Sequence, residues 1–298
     1  MSVASAHEET PGRSSAAMVT GRSQAGRIAE RTVVYGLLGL VAFIMLFPFT
    51  WVLSLALKTP PQAFIYPPAL IPDPISFENF GKALFGPLPF LLFFQNTLII
   101  AILVIVGDLL SCSLIAYGFA RFRFPGRDIL FLILLSTLMV PFIVRLVPLF
   151  VMFQSVGWIN TFLPLVVPAF FGTPLFIFLM RQFFLTVPLE LIDAARIDGA
   201  NELQVWWRIM VPLSKPVMAA VAIFAFQATW NDFLAPLVFL QRREVRTIIL
   251  GLYSFLGINP DYPTLMAATI ASIIPIVVIF FLFQNFFVKG ITVSGLKG

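Results

Sequence analysis

Six stretches of this 298-residue chain stay apolar long enough to cross a bilayer, at residues 33–57, 91–116, 129–153, 162–180, 216–240 and 265–287. A helix rising 1.5 Å per residue needs about 20 apolar residues for the hydrocarbon core. In lipid every backbone N–H and C=O must be satisfied within the segment, so the pattern predicts helices. The run between residues 90 and 121 is long enough for its helix to outlast the bilayer. Pro48, Pro141, Pro148, Pro168, Pro174 and Pro275 lie inside the spans, where neighbouring helices in a bundle can satisfy the carbonyls they free. The predicted fold class is all-α: a polytopic membrane protein with six transmembrane helices.

Composition narrows this further. The chain is 59% hydrophobic and 11% charged, whereas an ordinary soluble domain is about 25% charged. A single cysteine, Cys112, excludes an internal disulfide framework and cysteine-based zinc sites. The single histidine, His7, lies in a polar tail, which removes most chemistry needing a base near neutral pH. The net charge of +5 is spread between spans and does not read as a nucleic-acid surface. It does read as topology. With the N-terminus inside, thirteen of the 19 Lys and Arg face the cytoplasm, including Arg22, Arg27, Arg31, Arg121, Arg123, Arg127, Arg181 and Arg208. Only Lys58, Lys82, Arg242, Arg243 and Arg246 fall outside, and both termini are expected to be cytoplasmic. The first apolar run exceeds the 7–15 residues of a signal-peptide core and is read as a retained span. Residues 1–32, rich in Ser, Ala, Gly and Arg, are expected to form a disordered cytoplasmic tail ahead of a six-span domain at 33–298.

The connection between spans four and five is the exception to short polar turns. Its residues 187–212 carry Pro188 at a helix start, acidic residues in the first turn and Gly199 at a stop. Asn201 is positioned to cap a second helix running to Ile209, which Pro212 separates from span five. Two short helices would then make a protruding knob whose small Ala194, Ala195 and Gly199 allow close approach. The run Asp193-Ala194-Ala195, three residues, Gly199, nine residues, Ile209, one residue, Val211-Pro212 resembles the EAA loop of bacterial ABC importer permeases, with Asp in place of Glu and Val in place of Leu. The stretches at 116–127, 194–200, 229–232 and 295–298 are similar to the carbohydrate branch of that family, the maltose- and glycerol-3-phosphate-type permeases.

The resemblance, which covers residues 33–298, implies a transport subunit of a bacterial or archaeal inner membrane that uses no cofactor. It implies four partners: a second permease subunit, a cytoplasmic ATPase dimer, an extracellular or periplasmic solute-binding protein and a sugar-like substrate. In such importers the knob docks in a cleft of the ATPase, whose closure switches the permease between inward- and outward-facing states. Asp193, Ala194, Ala195, Asp198, Gly199, Ile209 and Pro212 are the matching positions here, and Gly295, Lys297 and Gly298 match a C-terminal end directed at the ATPase dimer. The chain has no phosphate-binding loop ending in Gly-Lys-Ser/Thr, so hydrolysis is assigned to the separate subunit and the chain is not expected to be an enzyme.

Charges at bilayer depth are functional candidates. Counted along straight helices, Arg145 and Asp232 both come to roughly 24–25 Å above the cytoplasmic side, and are expected to flank the translocation path, as a pair if they meet. Gln227, Trp230 and Asn231 join Asp232 in an amide, indole and carboxylate set of the kind that binds sugars. The same groups also serve as interhelical hydrogen-bond glue. Asp108 lies deeper, compatible with a structural, gating or path-lining role. An aspartyl membrane protease would need a paired carboxylate, and a secondary transporter would show an internal repeat. Neither pattern is found.

Overall fold

A computed structural model describes residues 24–257 and 260–295. The chain divides into two units, one ending at Trp51 and one beginning at Val52. Through residues 24–51 the first unit is continuous helix, the larger part of α1 (Gln24–Ala56). Residues 24–32, expected in the tail, are its opening turns, because Arg27, Ala29, Glu30 and Arg31 favour helix and no Gly or Pro separates them from the apolar run that starts at Val33. Residues 1–23 lie outside the described residues.

The second unit runs in chain order through α2 (Glu78–Phe85), α3 (Phe90–Arg121), α4 (Arg127–Ser136), α5 (Phe142–Ser155), α6 (Leu163–Val166), α7 (Pro174–Thr186), α8 (Leu189–Ile197), α9 (Glu202–Val205), α10 (Val211–Leu213), α11 (Lys215–Trp230), α12 (Leu234–Phe239), α13 (Ile248–Tyr253) and α14 (Tyr262–Gly295). No strand occurs among the described residues. Among the described residues four helical stretches are long and apolar enough to cross a membrane, and up to six if each of two sharply bent pairs counts as one span.

The bends depart from the expected straight spans. Span three turns by 97° between α4, with its terminal 3-10 turn, and α5. Proline disfavours helical backbone at the residue before it and has no N–H of its own, so Val140 and Pro141 are extended (ψ 110° and 142°). In the loop that follows α7 the second helix does not end at Ile209. It passes through a π-helical turn (Trp206–Met210) into α10, and the chain turns by 80° into α11 at Ser214. Pro212 sits inside this continuous helical run, where its missing N–H leaves a carbonyl of the preceding turn without that backbone partner, and the π-helical turn lies directly before it. Span five breaks at residues 231–233 and resumes as α12. The 16 residues of α11 reach about 24 Å, short of a hydrocarbon core.

α3 is the axis of this unit. Its 32 residues pack against α7 and α11, and two apolar cores lie along it. One gathers Tyr117, Met180, Phe184, Ile192, Val205 and Met210, and the other Phe90, Ala101, Phe226, Trp230 and Ala268. At Gly107 the chain segment Val167–Phe171 crosses so closely that a Cβ would stand 2.8 Å from the Phe170 ring. Beside this crossing the broken span four recovers its polar contacts from α3. Ser111 Oγ donates to the Ala169 carbonyl (2.7 Å), Thr173 Oγ1 donates to Asp108 (2.7 Å), and the Thr173 N–H donates to Cys112 Sγ (3.2 Å). Asp108 therefore staples the break that Gly172, at φ 93°, introduces ahead of α7.

Candidate functional site

The knob begins at Pro188, whose extended backbone precedes α8, and Glu190 occupies the first turn, where a negative charge suits the helix dipole. Its end is a Schellman motif. The Ala200 N–H donates to the Ala195 carbonyl (2.9 Å) and the Gly199 N–H to the Arg196 carbonyl (3.0 Å). Gly199 has φ 85° with open space around its missing Cβ, so backbone conformation and not packing demands glycine. Asn201 then closes a reciprocal capping box with Gln204, through bonds of 2.9 and 3.0 Å. Both local expectations, a stop at Gly199 and a cap at Asn201, match the structure.

Burial divides the knob into two faces. Ile192, Val205 and Met210 are buried in the core along α3, with Ala195 and Val211 packed against them. Asp193, Ala194, Asp198, Gly199 and Pro212 are exposed, and Ile209 is half-buried. Ile197 is 87% exposed at the tip, with Leu203 and Trp207 also open. With Leu203 and Trp207 it gives the outer side of the knob apolar as well as charged surface. It could have been found from sequence, because five residues after the anchoring Ile192 a helix has turned its other face outward.

Asp193 is not a free carboxylate. It accepts from Arg196 Nη1 (3.2 Å), while Arg196 Nη2 and Nε reach Glu202 Oε1 (2.8 and 2.9 Å). The hydrogen bond and charge of Glu202 hold the Arg196 guanidinium above its ordinary pKa. Glu202 Oε2 in turn accepts from Tyr117 Oη of α3 (2.6 Å). Arg121, four residues on, donates to the carbonyls of Phe184 and Val187 at the end of α7, the latter at 2.6 Å. Sequence reasoning missed Tyr117 and Glu202, which meet only through 85 residues of intervening fold.

The span residues are arranged differently from the expectation. Arg145 and Asp232 form no ion pair. Arg145 is exposed with its guanidinium 5.9 Å from the Phe142 ring centroid on its own helix, and Asp232 accepts from the Ala235 N–H (3.3 Å) as the N-terminal partner of α12. The shared depth assumed straight helices, and the turn at Val140–Pro141 removes that premise for Arg145. Trp230 is 1% exposed. Its indole stacks on Phe226 at 5.0 Å, meets Phe94 edge-on and donates to the Ser272 carbonyl (3.1 Å), so it is packing and offers no face to a passing solute. Gln227 and Asn231 remain exposed. Asp232 lines a cavity of about 170 Å³ with Thr229 and Thr247, among Ile100, Val104 and Leu165. Thr247 is 2% exposed and its Oγ1 has no hydrogen-bond partner. Its segment is held against α3 by Asn96, which donates to the carbonyls of Glu244 and Arg246, and by Thr97 Oγ1, which accepts the Ile248 N–H (2.8 Å). Of the C-terminal positions, Lys297 and Gly298 lie outside the described residues, and Gly295 is the last residue of α14.

Comparison with known proteins agrees with this architecture. The family model described as "Binding-protein-dependent transport system inner membrane component" matches residues 110–293. The arabinooligosaccharides transport system permease protein AraQ of Halalkalibacterium halodurans is 35% identical over 87% of this chain and 93% of its own. The trehalose/maltose transport system permease protein MalG of Thermococcus litoralis is 34% identical over 87% and 94%. The sn-glycerol-3-phosphate transport system permease protein UgpE of Yersinia pestis is 33% identical over 84% and 92%. In fold the chain matches the crystal structure of a bacterial ABC transporter involved in the import of the acidic polysaccharide alginate, with a TM-score of 0.79 at 24% identity, over 89% of this chain and 98% of that one.

Proposed function

The chain belongs to the binding-protein-dependent transport system inner membrane components, and on that premise we propose that it is a permease subunit importing a sugar, oligosaccharide or polyol derivative. A solute-binding protein delivers the substrate from outside, a second and different permease subunit completes the path, and a cytoplasmic ATPase dimer supplies the energy. Both termini face the cytoplasm, as the inward excess of Lys and Arg requires. Relatives named for arabinooligosaccharides, trehalose and maltose, and glycerol 3-phosphate support a polyhydroxylated substrate.

The observation that carries this reading is the knob of α8 and α9. It is anchored through Ile192 and Val205, closed by the Gly199 stop, and exposes Ala194, Ile197 and Asp198. Small residues around an exposed isoleucine fit a cleft, and the C-terminal end of the chain, residues 295–298, is assigned to the same partner. In the spans we assign Asp232, with Gln227 and Asn231, to the substrate path, and Arg145 to the surface facing the second subunit or lipid. Trp230 drops out of this set.

Substitutions that leave membrane insertion intact test the coupling. Gly199→Asp places a side chain where φ is positive, and Ala195→Glu forces a charge against the core under α8. Each is expected to abolish both co-purification of the ATPase and ATP-dependent uptake of radiolabelled maltose, arabinotriose or glycerol 3-phosphate, whichever the wild type imports. Retention of both activities by inserted variants contradicts the reading. So does uptake that survives ATP depletion and needs a proton gradient.

A further inference from the structure

A knob that docks an ATPase must also pull on something. The apolar anchors Ile192, Val205 and Met210 hold it to the bundle, but apolar contact is non-directional and allows sliding. Hydrogen bonds fix register, and the one that joins α9 to α3 ends on a carboxylate that also holds α8. Glu202 sits at the start of α9, its Oε2 taking Tyr117 Oη and its Oε1 taking two nitrogens of Arg196. Three elements therefore meet at one side chain: α3 through Tyr117, α8 through Arg196 and α9 through Glu202 itself. Tyr117 is 2% exposed and one turn from the end of α3, so its end of the link is shielded from water, where charge-assisted bonds are strong.

We propose that Tyr117, Glu202 and Arg196 are positioning residues that deliver displacement of the coupling knob to α3, the helix against which α7 and α11 pack. This rests on the reading of the chain as an ATP-coupled permease. The geometry separates docking from delivery. Asp193 binds Arg196 only through Nη1, whereas Glu202 binds through Nη2 and Nε. A cation arriving from the ATPase and taking Asp193 displaces Arg196 Nη1 alone and leaves the two Arg196–Glu202 bonds and the Tyr117–Glu202 bond in place. The knob can thus change its outer partner without letting go of α3. Arg121 extends the connection, since it ties the same end of α3 to the carbonyls closing α7.

The test uses the complete importer, with both permease subunits, the ATPase dimer and the binding protein, in proteoliposomes. Uptake of radiolabelled maltose, arabinotriose or glycerol 3-phosphate, whichever the wild type imports, is measured against ATP hydrolysed. Tyr117→Phe removes one hydroxyl and keeps the ring, and Glu202→Gln keeps the shape and removes the charge. Both are expected to assemble with the ATPase and hydrolyse ATP as wild type does, while substrate imported per ATP falls about tenfold, the loss equivalent to one charge-assisted hydrogen bond. Arg196→Lys, retaining charge on Glu202, is expected to restore part of the ratio lost in Arg196→Ala. Glu190→Gln, on the same helix outside the link, is expected to leave it unchanged. An unchanged ratio in Tyr117→Phe and Glu202→Gln overturns the proposal, and so does loss of assembly in both, which would assign the link to folding of the knob. If the wild type shows no ATP-dependent uptake, the permease reading itself fails, a different result from either.

Discussion

Asp108 illustrates how a residue that looks like a functional charge in a span acquires a structural role once its neighbours are seen. The break between the Val167–Phe171 turn and α7 frees backbone groups inside the bundle, and Asp108, Ser111 and Cys112, within two turns of α3, take them up or hold the chain beside them. Replacing Asp108 by Leu leaves the half-buried Thr173 hydroxyl without its acceptor. It is expected to destabilise the protein by about 1–3 kcal/mol, read as a lower midpoint in detergent unfolding, whereas Asp108→Asn keeps an acceptor and loses less. Thr247 presents the opposite case. Its hydroxyl is buried and unsatisfied beside Asp232, so Thr247→Val removes an unpaired polar group at nearly constant volume. We expect stability unchanged or raised, with uptake reduced if the hydroxyl serves the solute, and the two assays on one variant separate packing from path. Neither arrangement was legible in the sequence, because a polar residue in an apolar run has the same appearance whether it faces a backbone break or a cavity.

At the scale of elements, the features set by local backbone chemistry were readable and those set by packing were not. Gly199 and Asn201 announce a helix stop and a helix start through a positive φ and a side-chain cap, and both occur where expected. Apolar runs marked the four helical stretches long enough to cross a membrane and two further runs that the structure bends. The turn at Val140–Pro141 was not legible, because proline in a membrane helix is compatible with a gentle kink as well as a break, and neighbouring helices decide between them. That ambiguity carried into Arg145, whose depth was counted along a helix that does not continue. Trp230 failed for a related reason: its place beside Gln227, Asn231 and Asp232 in sequence says nothing of which way the indole turns, and Phe94, Phe226 and Ser272 take it inward. The readable cap gives its own expectation. Asn201→Ala removes the reciprocal box and should cost about 1 kcal/mol of stability, with faster hydrogen exchange confined to residues 201–206.

For the whole molecule, the large apolar side chains left open on the second unit, among them Ile133, Val144, Val147 and Ile274, require lipid or a second subunit to cover them. The knob adds the charged Asp193, Arg196, Asp198 and Glu202 to its exposed Ile197, and on the proposed function a separate ATPase seats on it. The most direct measurement is site-specific crosslinking. Ile197→Cys adds one thiol at the exposed tip of α8, while the native Cys112 is buried and silent. With the importer expressed whole in its own membrane, a short bifunctional reagent is expected to join position 197 to the ATPase subunit in high yield. A cysteine at Tyr66, in the loop placed outside by the charge distribution, is expected to give no such adduct. Equal labelling of the ATPase from Tyr66→Cys, or none from Ile197→Cys while the complex still co-purifies, contradicts the account.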